Sequence, residues 1–242
     1  MHKYETDGGL KYPVQTGDVW GAGPHVLACG DLYSGAALTR ALMVSGPANC
    51  VYVDPPWGAG VEKSFRTKAG LTSGPFVNYA VLIQIIYGII KTVPGPAAVE
   101  CGKKQIVMFR EAANRAAVPE TSFAQIAYNN GKLPAFLFGY NGAQISHCAG
   151  VDDTLTPQLF LRTAPGASIV LDPCTGRGAT AVAAANLGMR FVGSELNPMR
   201  ASVTLRKLTD LGHVPKLIHR DNGPKMGGAT VPEPLQNALG CV

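Results

Sequence analysis

Four residues, Asp54-Pro55-Pro56-Trp57, carry the densest chemistry in this chain. Each proline fixes its own φ and pushes the residue before it into an extended conformation. Asp54 is therefore held extended, and neither Pro55 nor Pro56 has an amide hydrogen to offer. Such a turn is rich in acceptors, poor in donors, and ends in a wide π surface. It suits a planar ring that bears an exocyclic amino group. The carboxylate of Asp54 and a backbone carbonyl of the turn can each accept one amino hydrogen. That draws the nitrogen lone pair out of conjugation with the ring. Trp57 can stack on the ring face, a contact worth about 1–3 kcal/mol per base. Taken alone, the four residues also suit a plain strand-ending turn with a capping Asp.

A second set lies in Ile169-Val170-Leu171-Asp172-Pro173-Cys174-Thr175-Gly176-Arg177-Gly178-Ala179-Thr180. It reads as strand, glycine turn and helix, and Gly176-x-Gly178-x-x-Ala181 satisfies the nucleotide fingerprint G-x-G-x-x-G/A. Glu195 falls at the tip of the next strand, where a carboxylate accepts from both ribose hydroxyls. The candidate cofactor-binding turn is Asp172, Pro173, Cys174, Thr175, Gly176, Gly178, Ala179 and Thr180. Asp172 would repel a pyrophosphate and attract an ammonium and a sulfonium, which selects S-adenosylmethionine over NAD. Asp31, at a third strand tip, suits a further polar contact to the adenine amino group of that cofactor. Cys174 reads as packing and not as a nucleophile. Four carboxylates at strand tips fit an open α/β sheet, whose ligands sit outside the strand carboxyl ends.

The elements that must position these groups follow in order. The apolar run His25–Cys29 reads as a strand that delivers Gly30-Asp31. Positions 34–44 have helical spacing with Ser34 as cap, and Cys50–Val53 is the strand behind Asp54. Positions 58–75 read as a mobile, glycine-rich basic loop whose Lys63, Arg66 and Lys68 suit nucleic-acid phosphates. A buried helix is expected over Phe76–Lys91, a strand over Lys104–Phe109 and a short helix near Glu111–Ala117. Phe123–Tyr128 and Pro134–Phe138 form an antiparallel pair about Asn129-Asn130-Gly131. Asp152-Asp153-Thr154 opens a short helix that ends near Thr163. Ala167–Leu171 and Arg190–Gly193 are strands, and Ala179–Gly188 and Met199–Leu211 are helices. The expected domain spans 24–214 with a short insertion near 111–150. It follows a loosely ordered segment 1–23 and precedes a weakly structured tail, 215–242.

The totals narrow the class further. A chain of 242 residues with 15% charged positions can bury a substantial core, and 29 glycines with 18 prolines imply many tight turns. A net charge of +5 mildly favours an anionic partner. The six cysteines are scattered without metal-ligand spacing. They read as reduced thiols in a cytoplasmic protein without a metal. No signal-peptide pattern is present. Asn78, Gln84 and Lys91 interrupt the apolar stretch Phe76–Val93, so a buried helix is expected there and no membrane partner.

Gly30-Asp31, Asp54-Pro55-Pro56-Trp57, the Asp172–Thr180 turn and Glu195-Leu196-Asn197-Pro198 together resemble four motifs of the amino-directed DNA methyltransferases, N6-adenine or N4-cytosine specific. They stand in the permuted (beta-type) order, with the catalytic motif ahead of the glycine motif. The resemblance covers roughly 24–212. It implies an α/β class I S-adenosylmethionine-dependent methyltransferase fold, Rossmann-like, with a mostly parallel sheet and one antiparallel hairpin. It also implies a flipped-out DNA base as substrate, and it assigns Asp54, Pro55, Pro56 and Trp57 to catalysis. Asp54, Thr154 and Leu196 join the cofactor contacts by the same route. An Asp at the first motif position leans toward adenine N6 in the family. Trp57 is also similar to adenine methylases that act on RNA. A His-Pro-Thr-Gln-Lys-Pro-like run is matched here only at Thr154 and Pro157, which weakens one wall of the cofactor site. The space for target recognition, roughly 111–150, is short, which leaves a homodimer or a specificity partner open. The family includes restriction-modification enzymes. Methylation of RNA or of a protein amide, a non-catalytic nucleic-acid-binding module, and an NAD-dependent oxidoreductase stand as alternatives.

Overall fold

The computed structural model describes residues 11–71, 78–129 and 131–221. Nine strands form one sheet: β1 (Val19–Ala22), β2 (His25–Cys29), β3 (Cys50–Val53), β4 (Ala97–Gly102), β5 (Glu120–Tyr128), β6 (Leu133–Tyr140), β7 (Ile169–Asp172), β8 (Arg190–Glu195) and β9 (Pro215–His219). Their order across the sheet is β5-β6-β4-β3-β7-β8-β2-β1-β9. The five central strands, β4 to β2, run parallel. β6 and β5 continue antiparallel at one edge, and β1 and β9 do so at the other. The central strands are buried on both faces, which is why they read as continuous apolar runs without alternation.

Helices cover both faces. α1 (Ala36–Ser45), α3 (Tyr79–Thr92) and α4 (Ile106–Arg115) contribute to the core on one side. α5 (Thr156–Thr163), α6 (Ala179–Asn186) and α7 (Pro198–Asp210) contribute to the core on the other. α2 (Ala59–Lys68) follows the proline turn. α3 is buried along most of its length, as its near-continuous apolar sequence requires. The side chain of Asn78 caps it by accepting from the Ala80 amide at 2.9 Å. Ile83, Ile86 and Ile90 are fully buried, each worth about 1.5–3 kcal/mol.

Chain direction reverses at one place that matters. From β3 the chain moves outward to β4, whereas from β7 it moves the opposite way to β8. β3 and β7 are neighbours, pairing Cys50 with Val170 and Val51 with Leu171. The crevice beyond their carboxyl ends is the topological switch point of the sheet, where open α/β folds take ligands.

Several sequence expectations are corrected. Lys104–Phe109 is not a strand: β4 lies earlier, and α4 begins at Ile106. Phe109, Ala112 and Ala113 face the core while Val107 is exposed. The period is therefore helical, and a six-residue window was too short to show it. The separate helix expected near Glu111–Ala117 is the second half of α4. Positions 59–68 of the expected loop are α2, where Glu62 and Arg66 share the buried face one turn apart. The expected start of the buried helix at Phe76 lies outside the described residues, as does Asn130 of the hairpin turn. Ser34 does not cap α1: the cap position is Gly35, with φ of 64°, and no side chain closes the helix end. Its hydroxyl donates instead to the carbonyl of Asp31 at 2.8 Å.

Segments on both flanks of the expected domain enter the sheet. β9 pairs antiparallel with β1, and the guanidinium of Arg220 grips the fully buried Asp18 at 2.8 Å. The two segments are short and weakly patterned, and each supplies the hydrogen-bonding edge the other lacks. The structure therefore has a second antiparallel set at the β1 edge besides the expected β5–β6 hairpin.

Candidate active site at the strand carboxyl ends

The ends of β2, β3, β4, β7 and β8 open on one cleft of about 520 Å³. It brings together Asp31, Asp54, Pro55, Pro56, Trp57, Arg66, Thr154, Asp172, Pro173, Cys174, Thr175, Gly176, Ala179, Thr180, Glu195 and Leu196. Of the expected site residues, Gly178, Lys63 and Lys68 are not on its walls.

The glycine turn is built by local hydrogen bonds. Asp172, buried at the end of β7, accepts from the Cys174 amide at 3.0 Å, and its carbonyl accepts from the Thr175 hydroxyl at 3.1 Å. Glu195, at the end of β8, accepts from the Gly176 amide at 2.7 Å with one oxygen and from the Asn197 amide at 2.8 Å with the other. Each oxygen keeps lone-pair capacity toward the cleft. Gly178 has φ of 80°, and a Cβ there would sit 2.7 Å from the side chain of Thr204. Only glycine admits this approach of turn and α7.

At the other end, Asp54 opens to the cleft while remaining densely surrounded by protein. The Trp57 indole donates to its Oδ1 at 2.9 Å. The ring of Trp57 lies against that of Tyr128, with centroids 4.7 Å apart. It also covers Gly102, where a Cβ would come within 3.1 Å of the indole. The carbonyl of Pro56 accepts from the Gly58 amide at 3.1 Å.

Burial raises Asp54, Asp172 and Glu195, each to about 7. Repulsion from Asp172 and Asp153 adds to the effect at Asp54, and repulsion from Glu195 adds to it at Asp172. Hydrogen bonds to Thr180 and the Cys174 amide oppose it at Asp172. Arg200 pulls both Asp54 and Glu195 downward. A buried site crowded with carboxyls in this way is short of positive charge. A ligand that brings a cation and hydroxyl donors would relieve it. Burial and the same carboxylates push the Cys174 thiol well above its ordinary range, so it stays protonated and packs, as expected from the sequence.

Arg66 is placed differently from its sequence reading. It is buried and pairs with Asp31 at 2.9 Å, with its guanidinium over the Tyr33 ring at 5.2 Å. It cannot also face a phosphate backbone. The pairing engages Asp31 as well, and its other oxygen accepts from the Tyr33 amide at 3.1 Å. Lys63 and Lys68 are exposed on the outer face of α2. The Thr154 hydroxyl donates to Asp152 at 2.7 Å within a tight turn, at the edge of the cleft.

Sequence reasoning missed Glu100, Tyr128, Asp153 and Arg200, all on the cleft wall. The signal for Glu100 is its place as the lone acid in the run Ala97-Ala98-Val99-Glu100-Cys101. A strand expected at Lys104–Phe109 masked it. Among the described residues, no group of three His, Cys, Asp or Glu side chains could hold a metal ion. No helix among them is long and apolar enough to cross a membrane.

No family model matches the sequence, and no curated protein sequence does either. Solved structures share the fold. M1.HpyAVI is 16% identical with a TM-score of 0.54, covering 75% of this chain and 97% of its own. TTHA0409 of Thermus thermophilus, solved with S-adenosyl-L-methionine, is 15% identical with a TM-score of 0.53, covering 77% and 94%. The PvuII DNA methyltransferase (cytosine-N4-specific) is 11% identical with a TM-score of 0.50, covering 76% and 90%. At these identities the likeness establishes the fold, an α/β class I methyltransferase-like architecture.

Proposed function

We propose that this protein is an S-adenosylmethionine-dependent DNA methyltransferase acting on the exocyclic amino group of a flipped base, adenine N6 in the first place. One observation carries the reading. Asp54 of the proline turn and Asp172 of the glycine turn end neighbouring strands at the switch point and share one cleft. An amino-group acceptor thus stands beside a pocket suited to a cationic nucleoside. Two structures of this fold, M1.HpyAVI and TTHA0409, are complexes with S-adenosylmethionine, and the PvuII enzyme is a DNA methyltransferase.

The residues fit the cofactor. Glu195 has acceptor capacity for ribose hydroxyls, Gly176 lines the cleft without a side chain, and Asp172 would hold an ammonium. When bound, S-adenosylmethionine supplies an electrophilic methyl group. This chain's own residues do the rest. A base leaves the duplex at a cost of a few kcal/mol and enters at Trp57 and Tyr128. It displaces the Trp57 indole from Asp54, and the freed carboxylate accepts one amino hydrogen. The carbonyl of Pro55 is the acceptor for the second, since that of Pro56 is engaged by Gly58. Held in this way, the amino nitrogen presents its lone pair across the cleft. The rate comes from position and electrostatics. Lys63 and Lys68 extend a basic face beside the opening for the DNA backbone.

The test is transfer of labelled methyl to mixed-sequence DNA, followed by digestion to nucleosides. A labelled N6-methyldeoxyadenosine peak is the expected result. A peak at N4-methyldeoxycytidine would correct the base. Label only in RNA or protein would overturn the DNA substrate.

A further inference from the structure

Glu100 is the least explained group in the cleft. It sits near the end of β4, 2% exposed, and lines the cleft that holds Asp54. Its Oε1 accepts from the buried Tyr52 hydroxyl, while its Oε2 has no hydrogen-bond partner. The parallel register pairs Tyr52 with Ala98 and Val53 with Val99. One step further along both strands puts Asp54 beside Glu100.

A buried carboxyl with one oxygen satisfied and the other orphaned is a poor packing element. Leucine would fill the space without unmet polarity. The groups facing it leave it no charge partner. They are Tyr52 and Asp54 from β3, Cys101 on its own strand, Tyr128 from β5, and Cys148, Asp153 and Asp172. None of these is a cation. Burial and the neighbouring Asp54 hold Glu100 in the acid form well above the ordinary carboxyl range. The proton then belongs on the oxygen that Tyr52 does not approach. The corner therefore contains an acceptor, Asp54, and a neutral donor, the Oε2 hydroxyl of Glu100, one strand apart.

We propose that Glu100 is a base-recognition residue, donating from Oε2 to the unprotonated ring nitrogen next to the amino-bearing carbon of the target base. Resting on the methyltransferase reading above, it assigns that site a substrate class: heterocycles in which an acceptor nitrogen adjoins an amino group. Adenine N1 and cytosine N3 both qualify. Asp54 reads the amino group and Glu100 reads its neighbour, two contacts on one edge of the ring. Recognition of this kind needs Asp54 ionised and Glu100 protonated. Turnover at saturating cofactor should therefore rise as pH passes 7 and fall again at higher pH.

Three measurements test this. Infrared difference spectra of wild type against Glu100→Gln at neutral pH, above the ordinary carboxyl range, should show a protonated carboxyl band in wild type that the variant lacks. No such band would overturn the proposal. With DNA and saturating S-adenosylmethionine, Glu100→Gln keeps a neutral donor. It should retain kcat/KM within tenfold and lose the alkaline fall. Glu100→Leu should lose about a hundredfold or more in kcat/KM while S-adenosylhomocysteine affinity stays within twofold, which also reports folding. Glu100→Leu with wild-type kcat/KM would overturn the proposal. Finally, the mapped target base is replaced by its deaza analogue lacking that ring nitrogen, 1-deazaadenine or 3-deazacytosine. Wild type should lose about a hundredfold and Glu100→Leu less than threefold further. Equal losses in both would mean that Glu100 does not read this atom. Wild type inactive on DNA would overturn the functional reading and this proposal together. Active wild type with an unaffected Glu100→Leu would sink this one alone.

Discussion

The two ends of the cleft hold their carboxyls by different means. At the glycine turn, Asp172 and Glu195 are gripped by backbone amides of Cys174, Gly176 and Asn197. At the proline turn, Asp54 and Glu100 are held by side chains, the Trp57 indole and the Tyr52 hydroxyl. Backbone donors are fixed once the turn forms, so the glycine-turn end is ready before any ligand arrives. A side-chain donor can leave. The indole engages one oxygen of Asp54, so this end of the cleft can change partners when a ligand enters. Under the methyltransferase proposal, preorganisation suits a cofactor that returns in every cycle. A breakable contact suits a base that enters only after unstacking from a duplex.

That contrast can be broken in order of expected size. Asp54→Ala should cut methyl transfer about a thousandfold or more, with S-adenosylhomocysteine affinity nearly unchanged by calorimetry. Unchanged turnover would remove Asp54 from the chemistry. Asp172→Asn should act at the opposite end. Its lost charge-assisted contact, about 1.5–3 kcal/mol, corresponds to roughly 10–150-fold weaker cofactor binding. If both variants lost cofactor equally, the division of the cleft would be wrong. Trp57→Ala should lower kcat/KM by about 5–150-fold, from 1–3 kcal/mol of stacking. Trp57→Phe keeps a ring but frees Asp54, and should cost less than Trp57→Ala. A phenylalanine variant as impaired as the alanine one would make the indole N–H, and not its face, the working part.

The smallest effect is on stability. Asp172 and Glu195, both buried, hold their protons to about pH 7 in the folded chain, against ordinary values of 3.8 and 4.5. Between those limits the folded state binds more protons than the unfolded state, so stability falls as pH rises. From pH 5 to pH 8 the melting temperature of the free protein should drop by about 3–6 °C, the size of a 1–2 kcal/mol loss in a chain of this length. Were Asp172 to hold its ammonium as proposed, saturating S-adenosylmethionine should flatten that slope. A melting temperature that rises over this range would contradict the raised carboxyls.

Much of the glycine-turn end was legible because its contacts are short in sequence. Asp172 to Cys174 and Glu195 to Asn197 each span two residues, and Gly178 is required by its own backbone. The β5–β6 hairpin was equally readable from its turn. α2 was not: its glycine and lysines look like a loop, and its helical order shows in the buried Glu62 and Arg66. Arg66 was misread for the same reason, since its partner Asp31 lies on a distant strand end.

The sequence by itself determined the strand–turn–helix of the glycine motif, the rigid proline turn that presents Asp54, and the carboxylates at strand tips, because local backbone chemistry suffices for each. Only the tertiary structure decided which tips meet. The switch in strand order sets β7 beside β3, and with it Asp172 near Asp54. The register of β3 with β4 brings Tyr52 to Glu100 and leaves one of that acid's oxygens free. The β1–β9 pairing brings Arg220 to Asp18. These contacts join residues tens to hundreds of positions apart, and their energy depends on burial that no single segment can provide.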